Sequence, residues 1–360
     1  MQGPEPAAPA LSSLRRSDSS QDRRRASLAP RRPLSGETLL PVPGPGANTP
    51  SIRQEVEQWR CKVATDPVPS ASYLLRNGGH ALHRTAAEFV SEAADVILCS
   101  ATYNSRLLKI DRMPAASLPP ALGRLAQLQT LWIKDTECAA LPDSICELAR
   151  LRCLWLAANP QLTRLPDDIG KLQQLESLSV ADTPLQSLPD SIGALSRLSE
   201  LRLSGGKYEQ LPSSLSSMAA LKELCLGSHA HLQALPAGLG RLAKLEQLEI
   251  KDCPELKSLP PLGGLRALKR LELRDCPKLE TLPSDLGALS HLRSLHLIGC
   301  RALTDLPESL SRLPAHCDIR VPHHLAERLA ELRPSQDGRP RRGGSPAAAT
   351  SLPQAAGTPG

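Results

Sequence analysis

Leu165-Pro-Asp-Asp-Ile-Gly-Lys-Leu-Gln-Gln-Leu-Glu-Ser-Leu-Ser-Val (165–180) returns 23 residues later as Leu188-Pro-Asp-Ser-Ile-Gly-Ala-Leu-Ser-Arg-Leu-Ser-Glu-Leu-Arg-Leu (188–203). Working outward, Leu-Pro also falls at Leu118, Leu141, Leu211, Leu235, Leu259, Leu282 and Leu306, always at a step of 23 or 24 residues. Each unit carries two periods. Leu178 and Val180 alternate with polar residues, as on a strand buried on one face. Leu165, Ile169 and Leu172 are spaced by three or four, as on a short helical turn.

A fixed period in the twenties with this grammar marks a leucine-rich-repeat solenoid. The expected fold is α/β: a curved parallel sheet on the concave face, short helical or 3-10 returns on the other side, and a helical N-terminal cap. The first strand is expected at Leu108-Lys109-Ile110. Ile319 and Val321 supply the tenth, with His316 in place of the usual leucine. Each return opens on a proline, read here as the first helical residue. It often ends on glycine (Gly123, Gly170, Gly193, Gly240, Gly287), read here as a residue with φ above zero, and Cys146 and Ser216 take that place twice.

Cys253, Cys276 and Cys300 each lie three residues beyond the last strand leucine-type residue of their repeat, where Asn159, Thr136 and Thr183 lie in theirs. That offset marks an internal ladder in which a small polar side chain satisfies the backbone of neighbouring repeats. The other cysteines are irregularly spaced and form no C-x-x-C knuckle. The ten are therefore read as reduced, structural thiols rather than a disulfide framework.

The flanks differ from the repeats. Residues 1–50 are rich in Ser, Pro, Gly and Arg and hold too little apolar surface to offset ordering, so they read as a disordered leader. Arg24-Arg25-Ala26-Ser27 within it has the pattern of a basophilic kinase site. Ser51 and Gln54 form a capping box, and Ile52, Val56, Trp59 and Val63 share one helical face. Pro67 and Pro69 close that helix. A second helix is expected through Leu82, Ala86, Phe89, Val90, Ala93 and Ile97, and residues 51–100 together read as a cap over the first repeat. Repeats fill 101–322, a closing helix 323–334 and a second disordered segment 335–360.

Net charge is +6, but the excess sits largely in Arg15-Arg16, Arg23-Arg24-Arg25, Arg31-Arg32 and Arg339 to Arg342 rather than on the repeats. Without interleaved aromatics this does not point to nucleic acid. No apolar run is long enough for a membrane span or a cleaved signal.

On the concave face the candidate partner-binding residues are Trp132, Trp155, Lys134, Ser179, Glu200, Arg202, Glu223, Glu249, Arg274 and His296. Trp132 and Trp155 fall in one column among small residues, and tryptophan dominates binding hot spots. Glu249 and Glu272 stand among Lys251, Arg270 and Arg274, a cluster able to neutralise itself. Neither cofactor nor metal is expected. Gly205-Gly206-Lys207 lacks the remaining residues of a phosphate loop. His316, Cys317, His323 and His324 lack the spacing of a metal site. Cys138 is the loop thiol best placed for exposure, without a neighbouring base.

The phrases at Leu165 and Leu188 resemble plant-type leucine-rich repeats in injected effectors of plant-pathogenic bacteria. Asp252-Cys-Pro-Glu-Leu and Asp275-Cys-Pro-Lys-Leu resemble repeats of plant intracellular immune receptors. With the Ser- and Pro-rich leader, the chain is most similar to the XopL/XopAE group of type III effectors. The resemblance implies passage through a type III system from the bacterial cytoplasm to the host cytoplasm. It also implies a monomer that binds a host protein. Some members carry a ubiquitin-ligase domain after the repeats, where this chain has residues 335–360, so no catalytic residue is carried over. The alternatives are a ubiquitin ligase or its substrate-recognition half, and a bacterial cytosolic scaffold.

Overall fold

The computed structural model describes residues 51–64 and 86–334. The leader, Pro67, Pro69, Leu82 and the segment from residue 335 lie outside the described residues. Ten parallel strands form one sheet in sequence order: β1 (Leu107–Asp111), β2 (Thr130–Lys134), β3 (Cys153–Ala157), β4 (Ser177–Ala181), β5 (Glu200–Ser204), β6 (Glu223–Gly227), β7 (Gln247–Lys251), β8 (Arg270–Arg274), β9 (Ser294–Ile298) and β10 (Asp318–Arg320). Leu131, Leu154, Leu178 and Leu201 pair one above another and are buried, and Ile133, Leu156, Val180 and Leu203 do the same two residues on. One leucine core therefore runs the length of the repeats.

Backbone ladders flank the strands on both sides. Before them, one carbonyl serves two amides of the next repeat: Gln129 O accepts from Arg152 N at 2.7 Å and Cys153 N at 2.9 Å. After them, one residue turns left-handed, as at Asp135 (φ 51°), Asp182 (φ 50°) and Asp252 (φ 51°). The Asp135 amide then donates to Ala157 O at 2.9 Å. Aspartate tolerates this conformation better than most residues.

The returns correct two expectations. The proline of Leu-Pro is not the first helical residue: Pro142, Pro189 and Pro212 sit at the N-cap with extended backbone (ψ 139°, 146° and 143°), and the 3-10 turn begins one residue later. Nor do the return glycines adopt φ above zero; among the described glycines only Gly205 and Gly299 do. They are required for close approach: a Cβ on Gly193 would lie 2.4 Å from Ser214 O, and one on Gly123 2.0 Å from Ser144 O. Cys146 and Ser216 occur where the following return is shorter, Ile169–Lys171 and Leu239–Arg241, three residues of 3-10 helix rather than five.

At the N-terminal end, α1 (Ile52–Ala64) and α2 (Ala86–Thr102) lie against the first repeat. The capping box closes as read: Gln54 N donates to Ser51 Oγ at 3.2 Å, and Ser51 N to Gln54 Oε1 at 2.8 Å. Val56, Trp59, Val63, Val90 and Ile97 join the core, and Trp59 Nε1 donates to Ser117 O at 3.0 Å. Arg124 reaches Glu55 at 2.9 Å, a second tie between helix and repeat. At the far end β10 has three residues, and Val321 falls outside it because Pro322 caps the next 3-10 turn. Leu325, Leu329 and Leu332 pack on the core, the last two from α3 (Ala326–Leu332).

Candidate functional site: the concave face

Register puts Lys109, Trp132, Trp155, Ser179, Arg202, Cys225, Glu249, Glu272, His296 and Arg320 in one central column, one residue from each strand. The alternation that buries the leucines turns these side chains outward. The column brings the predicted residues into two groups.

The first group is aromatic. Trp132 and Trp155 meet edge to face, centroids 5.2 Å apart and planes at 85°. Lys109 Nζ lies 5.1 Å from the Trp132 ring centre, within cation–π range. Both rings are half-buried, and Lys134 is exposed beside them. Trp132 Nε1 is buried without a hydrogen-bond partner among the described residues. Such an unmet donor costs about 1–3 kcal/mol in a resting fold. Thr130, Cys153, Ser177, Ser179 and Ala181 surround the pair with short side chains.

The second group is ionic. Arg202 is bonded to Glu200 on its own strand and donates to Glu223 Oε2 at 2.9 Å. Lys251 pairs with Glu249 and Arg274 with Glu272, each within one strand. Arg270 stands apart from this cluster, its Nη1 3.5 Å from Gln247 Oε1. Burial opposes ionisation of Glu249, but hydrogen bonds from Lys251, Cys225 and Gln247 hold its pKa below the usual carboxylate value. Glu272 is buried despite its charge, which the alternating pattern did not reveal. His296 Nε2 lies 3.2 Å from Asp318 Oδ2, and Asp318 also binds Arg320. Cys225 bridges the ionic residues, 3.7 Å from Arg202 and 3.6 Å from Glu249.

The residues at the ladder offset divide: Asn159 bonds the preceding repeat, whereas Cys253 and Cys276 bond the last strand carbonyl of their own repeat. Asn159 Oδ1 accepts from the Thr136 amide at 3.1 Å and hydroxyl at 2.8 Å, and its Nδ2 donates to Ile133 O at 3.2 Å. Cys253 Sγ donates to Lys251 O at 3.3 Å and Cys276 Sγ to Arg274 O at 3.4 Å. Cys300 makes longer contacts of 3.8 Å to Leu273 O and Ile298 O. His229 belongs to the same series and was missed, although it lies three residues after Leu226. It is fully buried, its ring nitrogens 3.3 Å from Gly206 O and 3.1 Å from Leu203 O.

Other chemical candidates become structural. Cys138 is buried, not exposed, and burial pushes its thiol pKa up to about 12, the opposite of an activated nucleophile. Gly205-Gly206-Lys207 is a turn: Gly205 has φ 72°, and the Tyr208 ring occupies the space a Cβ on Gly206 would need. His324 Nε2 bonds Leu303 O at 2.7 Å, Cys317 is buried, and no His, Cys, Asp or Glu group among the described residues could hold a metal ion. Among the described residues no helix is long and apolar enough to cross a membrane.

A family model described as a leucine-rich repeat region matches residues 100–183 and 178–274. No curated protein matches the chain. Among solved structures it is similar to the leucine-rich repeat domain of the type III effector XopL, with 31% identity and a TM-score of 0.69, over 79% of this chain and 99% of that one. Internalin C2 of Listeria monocytogenes is 22% identical, with a TM-score of 0.42, over 52% of this chain and 78% of that one. The ectodomain of the Arabidopsis thaliana receptor kinase GASSHO1/SCHENGEN3 is 23% identical, with a TM-score of 0.45, over 60% and 28%. With its ten in-register repeats and a relative matched over nearly all of that relative's length, this chain belongs to the leucine-rich-repeat family.

Proposed function

We propose that this protein is a type III effector-like binding protein that grips a host protein on its concave face and acts as a monomer without chemistry of its own. The single observation carrying the binding reading is the Trp132–Trp155 pair, half-exposed near the N-terminal end of a column of outward side chains and carrying an unmet indole donor. The similarity to the repeat domain of XopL supports the effector assignment. Trp132 and Trp155, with Lys134 and Ser179 beside them, form the aromatic end of the proposed surface. Glu200, Arg202, Glu223, Glu249, Arg274 and His296 form the polar end, where mutually paired charges set orientation more than affinity.

Affinity capture from host lysate with the full chain tests the binding reading. Trp132→Ala with Trp155→Ala should weaken capture by about 2 kcal/mol or more, roughly thirtyfold. Glu249→Ala with Arg274→Ala should cost below about 1 kcal/mol. If the tryptophan change lowers the melting temperature and leaves capture intact, the pair is structural and the binding reading falls. Deleting residues 1–50 should abolish delivery in a translocation reporter; delivery without them would remove the effector assignment. Ubiquitin chains built by the purified chain, and lost on a single surface substitution, would contradict the non-catalytic reading.

A further inference from the structure

We infer that β4 offers the bound partner a notch for one aromatic side chain, walled by Trp155 on one side and Arg202 on the other; this rests on the concave-face reading. Trp155, Ser179 and Arg202 stand side by side on three consecutive strands. Ser179 and its strand neighbours Ser177 and Ala181 carry nothing longer than a hydroxymethyl group, so the column dips at β4. Two strand spacings separate the wall backbones by about 9.6 Å, and a planar ring in contact on both faces needs about 7 Å.

Both walls are held in place. Trp155 is braced edge to face against Trp132. Arg202 is bonded to Glu200 and Glu223, and its Nη1 lies 3.7 Å from Cys225, contacts that draw the head toward β6 and away from Ser179.

Charge selects the occupant. Arg202 with Glu200 and Glu223 sums to one negative charge, which disfavours a carboxylate or phosphate. A lysine or arginine would meet the Arg202 guanidinium across the notch. A neutral ring suits both walls: the indole packs on it, and the guanidinium is attracted to its face. Ser177 Oγ is directed to Glu200 Oε2 at 3.3 Å, so the floor presents little competition for a planar apolar group.

The test is to pan a phage-displayed random peptide library on the full chain, synthesise the enriched peptides and titrate them into wild type and variants. Enriched peptides should share one Phe, Tyr or Trp position. Changing that residue to Ala, or filling the notch by Ser179→Trp, should each weaken binding about thirtyfold, and both changes together should be little worse than either. Ser179→Ala, which keeps the notch open, should bind as wild type and separates filling from misfolding. Enriched peptides with a shared Lys, Arg or acidic position instead would overturn the aromatic occupant. Binding insensitive to Ser179→Trp but lost with Trp132→Ala and Trp155→Ala would remove the notch and keep the concave surface. Peptides that no concave variant weakens, or no enrichment at all, would overturn both.

Discussion

Asn159 reaches back one repeat to Thr136, its side-chain oxygen accepting both the amide and the hydroxyl of that residue while its amide group donates to Ile133 O. One buried side chain thus satisfies three groups of the preceding repeat. Asn159→Ala would leave them unmet and should destabilise the protein by about 1–3 kcal/mol in chemical denaturation. Cys276→Ala removes only weak thiol bonds, among them that to Arg274 O, and should cost less. Equal costs would show that packing, not hydrogen bonding, sets the ladder.

His229 predicts a pH dependence. Burial lowers its pKa, the carbonyls of Gly206 and Leu203 oppose that shift, and the net direction is down. The unfolded chain therefore binds a proton more readily than the folded one. Stability from this residue is present above the unfolded value, about 6.5, and is lost as pH falls below it toward the folded value. Melting temperatures between pH 8 and 5 should decline on the acid side. His229→Asn, which places the amide used at Asn159 in the same ladder, should flatten that decline; an unchanged slope would assign it to other groups.

Repeat spacing predicts that two glycines respond unequally to the same change. Gly193→Ala drives a Cβ to 2.4 Å from a backbone oxygen of the next repeat. It should cost about 1–3 kcal/mol, because backbone cannot give way as a side chain does. Gly227→Ala meets nothing nearer than Ser204 Cβ at 3.8 Å and should be close to neutral. Urea titrations of the two variants decide; a tolerated Gly193→Ala would show that the returns can slide apart.

Thiol labelling follows burial. Cys61 and Cys99 are exposed and should react with an aromatic disulfide reagent within seconds to minutes under native conditions. Cys153 and Cys225 are half-buried, and burial raises both thiols, Cys225 to about 12, so they should lag. Cys138, Cys146, Cys253, Cys276, Cys300 and Cys317 should react only on unfolding. Fast reaction of Cys138 in the folded protein would reopen its candidacy as a nucleophile.

The sequence by itself determined the repeat, its register and the outward column. A period of 23 or 24 residues repeated nine times leaves one way to stack leucines, and alternation then dictates which side chains face out. The ladder was legible for the same reason, and His229 could have been found by counting three residues past Leu226. Other features had no signature within one repeat, because they are contacts between repeats. Gly193 is set by Ser214, 21 residues on; Trp132 and Trp155 meet edge to face only because β2 and β3 are adjacent; Glu272 is buried by its neighbouring strands. Cys138 misled although the repeat foretold its burial: it lies three residues before Leu141, as Leu162 lies before Leu165 and Leu185 before Leu188, and all three are buried. A linear pattern specifies the direction of a side chain from its own backbone, whereas burial and partners depend on the strands beside it, and those the tertiary structure alone decided.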